Sequence, residues 1–289
     1  MSLQHLRTQR HRAPPPSPAL HQPIFTAPSP KMNKPMHENL IALPRTHPEA
    51  PRADSPPAAA PDSALPRLLT RLFFHSAVVT GHQALAPGLY LIAVQGPALR
   101  GRVWSPGDKL QIKVGPGMTN RSYTPIDWNP QTGETRFVAH ALALGPGSEW
   151  VRHARVGQAV ALMGPRRSLD LAAWPAATGV LVGDETSISL AAAWRPARIV
   201  LEVDQPEHIH ALLQTRHLQA ELVARQSDDA HLPALSALVL AGAEASSRYV
   251  LTGRARTIQG LLPGLRAHGV PRQRLLSKAY WAPGKTGLD

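Results

Sequence analysis

From Leu65 onward the chain breaks into short apolar runs punctuated by glycine and proline. Leu68–Phe74, Ser76–Thr80, Gly88–Val94, Arg136–Leu142 and Gln158–Met163 each have the length of a strand. Lys109–Val114 alternates polar and apolar at every position, the period of a strand buried on one face. Turn signals separate these runs at Ala86-Pro-Gly88, Ser105-Pro-Gly107, Val114-Gly-Pro-Gly117 and Asn129–Gly133, and Gly164-Pro-Arg-Arg-Ser168 reads as a further tight turn. The pattern predicts an antiparallel β-barrel over residues 65–175. After Trp174-Pro175 the texture changes. Gly179–Gly183 is a continuous apolar run, as for a strand covered on both faces. A short helix over Ser187–Trp194, stopped by Arg195-Pro196, precedes a second strand at Ile199–Val203. Helix, strand and helix are expected at Glu207–Arg225, Ala237–Ala241 and Arg254–His268, with strands at Tyr249–Leu251 and Lys278–Trp281. Alternation of this kind predicts a parallel α/β domain of nucleotide-binding type over residues 176–289.

Residues 1–64 show no such pattern and hold 14 of the 30 prolines, so a disordered tail is expected there. The chain of 289 residues is long enough for two cores beyond it. It contains no cysteine, which excludes disulfides, thiolate metal sites, iron–sulfur clusters and a thiol nucleophile. The longest uncharged apolar stretch, around Ala234–Ala243, is about half a membrane span, and no apolar segment follows the basic first residues. A cytoplasmic protein with no membrane partner is therefore expected. A net charge of +12 raises nucleic acid as a partner. The basic residues are scattered, however, with only Arg166 and Arg167 adjacent, and no recognition motif accompanies them. Small anionic ligands would use the same field.

Candidate chemistry gathers in a few places. Arg121-Ser122-Tyr123-Thr124 follows a glycine-rich turn and combines a guanidinium fork, a flat ring and hydroxyls. His140 ends a strand, and Gly145-Pro146-Gly147-Ser148-Glu149-Trp150 opens a helix whose small first residues leave backbone N–H groups for a pyrophosphate. Gly183-Asp184-Glu185-Thr186 stands at the carboxyl end of the first α/β strand, where open sheets bind ligands. It lacks the G-x-G-x-x-G fingerprint, and a plain helix cap is an equal reading. Other signals carry nothing. His208 and His210 point to different sides of a helix. Gly284-Lys285-Thr286 has no first glycine of a phosphate loop, and no serine sits in a Gly-x-Ser-x-Gly elbow. No metal site, catalytic acid or nucleophile is expected.

Taken together, residues from about 70 to 289 resemble the siderophore-interacting proteins, FAD-dependent ferric-siderophore reductases related to ferredoxin reductases. The resemblance rests on Trp104-Ser-Pro-Gly-Asp-Lys109, Arg121-Ser-Tyr-Thr-Pro-Ile-Asp127, His140 through Trp150, Gly164-Pro-Arg166, Gly183–Thr186 and Lys278-Ala-Tyr-Trp281. It implies a flavin-binding barrel in which Arg121 pairs with the FAD phosphates, Tyr123 and Thr124 line the flavin, and residues 145–150 cradle the pyrophosphate. Ser122 and His140 belong to the same cofactor site by that resemblance. Gly183, Asp184, Glu185 and Thr186 match the nucleotide-domain motif, and Lys278 falls where some members place a cation facing the ferric siderophore. Three features depart from the family pattern: the longer apolar link from His140 to Gly145, the short helix after Thr186, and Gly242-Ala-Glu244 in place of a clear Ala-Gly-Glu. The implied activity is reduction of iron(III) in a siderophore by NADH or NADPH through FAD, in a monomer, with ferredoxin as an alternative partner. Glu202 and Asp204 end the second α/β strand, where a carboxylate would favour NADH by accepting the ribose 2′-hydroxyl, a solvated strand end being an equal reading. The alternatives are a general flavin or ferredoxin-linked reductase, and a siderophore-binding module without a working flavin.

Overall fold

The computed structural model describes residues 74–141 and 144–285. The tail expected over residues 1–64, and all but the last residue of the Leu68–Phe74 run, lie outside them.

A seven-stranded antiparallel sheet comes first, in the order β4-β3-β7-β1-β2-β6-β5. Its strands are β1 (His75–Ala86), β2 (Leu89–Gln95), β3 (Asp108–Lys113), β4 (Asn120–Tyr123), β5 (Asp127–Asn129), β6 (Glu134–His140) and β7 (Ala159–Arg167). The sheet curls until Tyr123 of β4 stacks on Phe137 of β6, with ring centroids 4.7 Å apart. Inside the curl, Val79, Ile92, Val94, Leu110, Ile112, Phe137 and Leu162 form a core shielded from water. Helix α1 (Pro146–His153) covers one end through Trp150 and Val151.

Two local expectations change here. Alternation along Lys109–Val114 puts Gln111 on the polar face, yet it is buried, because its side chain accepts from Arg166 (3.0 Å) and donates to Asn120 (3.3 Å). Gly164–Ser168 was expected as a turn, yet Gly164–Arg167 continue β7. Gly164 takes φ +124, with a would-be Cβ only 2.7 Å from the carbonyl of Lys109, so the strand bends without ending.

The second sheet is parallel and five-stranded, in the order β10-β9-β8-β11-β12. Its members are β8 (Gly179–Gly183), β9 (Arg198–Val203), β10 (Glu221–Ala224), β11 (Arg248–Arg254) and β12 (Leu275–Trp281). Helices α2 (Ile188–Trp194), α3 (Pro206–Thr215), α4 (Leu232–Ala241) and α5 (Ala255–Ala267) alternate with them. All five residues of β8 are buried, as the unbroken apolar run requires.

The segment after β9 differs from expectation twice. The helix expected over Glu207–Arg225 ends at Thr215, where His217 adopts φ +52, and Glu221–Ala224 pairs with β9. The strand expected at Ala237–Ala241 is the second half of α4. A short apolar run fits either element, and Leu235 and Val239, one helical turn apart, both face the core.

Antiparallel and parallel sheets share one continuous core in which Leu89 and Val138 pack with Leu181, Ile188 and Leu190. Ser189 of α2 ties them further, its hydroxyl accepting from Val138 N–H at 2.7 Å.

Candidate functional site

Beginning from β8, the chain winds out to β10 on one side and returns to β11 and β12 on the other. Such a reversal opens a crevice at the carboxyl ends of the strands. Here the crevice faces the barrel, and together they enclose a cleft of about 860 Å³.

The barrel wall comes from β4. Pairing with β3 sets Arg121 opposite Ile112 and Tyr123 opposite Leu110, and Ser122 and Thr124 complete the wall. Tyr123 is held by Phe137 and by Trp150, whose ring lies 5.9 Å away. Burial pushes its phenol well above the ordinary range, so it stays neutral.

One end of the cleft is the start of α1. Gly145 is its N-cap with φ +141, a backbone shape that excludes a side chain, and no side chain caps the helix. Pro146 has no N–H, so the N–H groups of Gly147 and Ser148 lack intrahelical acceptors. Arg121 lies directly against this end: a Cβ added at Gly147 would sit 2.7 Å from Arg121 Cγ. Arg121 Nη1 donates to the Asn120 carbonyl at 2.7 Å, which steadies the side chain. A guanidinium beside an uncapped helix start is a cradle for phosphate or pyrophosphate.

The α/β wall is built differently. Asp184 is fully buried and accepts from Thr186 N–H at 2.9 Å, from the Thr186 hydroxyl, and from the Trp281 indole at 2.7 Å. Burial raises its carboxyl to about 6. The turn after β8 therefore directs its N–H groups at its own carboxylate, in a capping box completed by Ser187. Gly183, Asp184 and Glu185 stand behind the wall, and Thr186 alone of the four lines the cleft. Trp150 likewise supports the wall from behind. The structure thus brings Arg121, Ser122, Tyr123, Thr124, His140, Gly145, Pro146, Gly147, Ser148, Thr186 and Lys278 to one surface.

Sequence reasoning missed Arg225, Tyr280 and Trp281, which also line it. Arg225 Nη1 pairs with Asp204 at 2.7 Å, Nη2 with Glu185, and the guanidinium lies 5.9 Å from the Trp281 ring. Burial raises the Tyr280 phenol to about 12, against a hydrogen bond with Thr124. The Lys278-Ala-Tyr-Trp281 motif was the available signal for the two aromatics; Arg225 was hidden by the helix expected to run through it.

Glu202 corrects a further expectation. It is completely buried and accepts from Thr257 (2.6 Å), His231 (2.6 Å) and Arg254 (3.2 Å), so it has no face for a ribose. Asp204 does reach the cleft, already paired with Arg225. Among the described residues no group of three or more His, Cys, Asp or Glu could hold a metal, and no helix is long and apolar enough to cross a membrane.

Residues 108–169, which contain β3, β4, β6 and α1, match the siderophore-interacting FAD-binding domain family. The mycobactin import ATP-binding/permease protein IrtA of Mycolicibacterium smegmatis is 26% identical over 241 residues, 73% of this chain. The chain spans only 26% of that protein's length. The fold is similar to the siderophore-interacting protein SipS of Aeromonas hydrophila, with TM-score 0.61 and 21% identity over 74% of this chain and 93% of that one. The siderophore-interacting protein of Acinetobacter baumannii gives TM-score 0.60 at 17% identity, covering 73% and 91%. Phthalate dioxygenase reductase, described as transferring electrons from pyridine nucleotides to a [2Fe-2S] centre, gives 0.59 at 15%, covering 76% and 71%. The class is therefore that of ferredoxin-reductase-like folds. Within it, the resemblance to siderophore-interacting proteins is supported by both the matched domain and the fold.

Proposed function

We propose that this protein is a flavin-dependent reductase that takes electrons from a reduced nicotinamide cofactor and delivers them to iron(III) held by a siderophore. The observation that carries the reading is the Arg121 stem seated on Gly147 at the uncapped start of α1, inside the segment that matches an FAD-binding domain. That donor set fits a pyrophosphate, and the neutral Tyr123 beside it fits an uncharged ring system. Bound FAD would supply the redox chemistry, accepting a hydride and releasing electrons one at a time.

The chain's own part is position and charge. Arg121 and the N–H groups of Gly147 and Ser148 hold the diphosphate, with Ser122, Thr124 and His140 around the flavin. Lys278, half-buried on the opposite wall, attracts an anionic ferric chelate. Hard oxygen donors hold iron(III) better than iron(II), so reduction loosens the complex. In this reading residues 65–175 form the flavin domain and residues 176–289 the domain facing the electron donor. A ferredoxin as donor is the second reading, favoured by the turn after β8, whose N–H groups are engaged by Asp184 and are not offered to a dinucleotide.

Anaerobic mixing tests this. The protein purified with FAD should be yellow, bleach with NADH or NADPH, and recover colour on adding a ferric siderophore while a ferrous chelator captures the iron. A protein that refuses FAD would be a binding module. Bleaching without reoxidation by ferric siderophore would leave a general flavin reductase, and reduction by ferredoxin alone would select the second reading.

A further inference from the structure

His140 closes β6 on the barrel side of the cleft, and Glu185 opens the turn after β8 on the other. The His140 side chain is only 8% exposed, and its Nδ1 has no hydrogen-bond partner. Glu185 Oε2 lies 4.0 Å from that nitrogen, beyond hydrogen-bond reach. The carboxylate is held where it is. Oε1 accepts from Asp204 N–H at 2.6 Å, and Oε2 accepts from Arg225 Nη2.

A buried ring nitrogen without a partner, facing a carboxylate that is already anchored, is a costly arrangement for a resting protein. A proton on Nδ1 would turn it into a charge-assisted hydrogen bond after a shift of about 1 Å. Three charged groups act on the ring: Glu185 and Asp204 favour its protonation, and Arg225 opposes it. Burial also opposes it and prevails, so the His140 pKa lies below its ordinary value and the ring is neutral near pH 7. Because His140 lines the cleft, negative charge arriving there enters this balance directly.

We infer that His140 is the proton acceptor of the cleft, taking up a second ring proton and closing Nδ1 on Glu185 when the flavin bound beside it gains negative charge on reduction. The inference rests on the flavin reading above. A hydride brings two electrons and one proton, leaving one uncompensated negative charge. His140 takes one proton from solvent to balance it, its ring becoming an imidazolium. When the two electrons leave for two iron(III) ions, His140 returns that proton to solvent. The overall reaction then releases only the proton that arrived with the hydride. Arg225 acts as a positioning residue that keeps Glu185 from collapsing onto the ring in the resting state.

The test is the titration of His140 itself, followed by NMR of the full chain carrying ¹³C-labelled histidine and loaded with FAD. His140→Gln assigns the resonance. The pKa of His140 should rise by at least one unit, a tenfold gain in proton affinity, between the oxidised and the fully reduced protein. Glu185→Gln should shrink that rise, with FAD absorbance and the melting profile reporting whether the variant is folded; the wild-type comparison stands without it. An identical His140 titration in both redox states overturns the inference alone. A chain that takes up no FAD overturns the flavin reading and the inference with it.

Discussion

Gly147→Ala is the sharpest probe of the phosphate cradle, because it adds one carbon and removes no functional group. That carbon would lie 2.7 Å from Arg121 Cγ and 3.2 Å from Nε, against about 3.5–4.0 Å for ordinary carbon contact. The clash falls on the stem of Arg121, so the guanidinium must leave its seat. Helix α1 itself should not suffer, since alanine is favoured over glycine in helices by up to about 1 kcal/mol. Loss of one charge-assisted contact to phosphate is worth about 1.5–3 kcal/mol, or roughly ten- to hundred-fold in FAD affinity. Arg121→Ala should cost a similar amount. The two changes remove the same contact, so the double variant should be little weaker than Arg121→Ala alone. Titrating apo-protein with FAD by flavin fluorescence gives the affinities, and thermal melts of the apo-proteins check folding. Wild-type FAD affinity in the Gly147→Ala variant would refute this account, as would full additivity in the double variant.

Other consequences are as direct. Lys278→Ala should raise KM for an anionic ferric chelate several-fold at low salt and leave the flavin spectrum unchanged, with the difference fading as ionic strength rises. Steady-state assays at two salt concentrations decide this. Asp184 ionises near 4 when unfolded but near 6 in the fold, so the folded state binds more protons between those values and stability falls as pH rises through them. The wild-type protein should therefore lose about 2 kcal/mol relative to Asp184→Asn between pH 4 and 6.5, read by urea unfolding at each pH. Glu202→Ala removes the carboxylate that joins His231, Thr257 and Arg254 in the interior, leaving Arg254 to Asp229, and should cost about 3 kcal/mol in the same assay at pH 7.

The parts of this molecule that follow from local rules were legible in the chain. β8 is an unbroken apolar run with its whole length buried, and Arg195-Pro196 stops α2 where proline must. Gly145-Pro146 likewise announces the start of α1. What escaped depends on partners distant in sequence. Leu232–Ala241 is apolar nearly throughout, and only packing beside α5 decides that it is helical. Gln111 is buried because Arg166, 55 residues away, satisfies it. Glu202 has the sequence position of a ribose ligand but belongs to an interior ion network, since His231, Arg254 and Thr257 reach it from later elements. Arg225 stayed invisible for the same reason: its importance lies in three carboxylates drawn from two other strand ends.

The two walls of the cleft are anchored unequally. Strands β4 and β12 are both outermost in their sheets and bond to β3 and β11 alone, but β4 stacks its tyrosine into the barrel core, whereas β12 turns Lys278, Tyr280 and Trp281 to the cleft. Backbone groups on an outermost strand open to solvent more readily than those of a central one. A guest spanning from Lys278 to the barrel would clamp that strand against its neighbour. Occupancy of the cleft would then be written into the amide exchange of Lys278–Trp281, making this strand a built-in reporter of ligand.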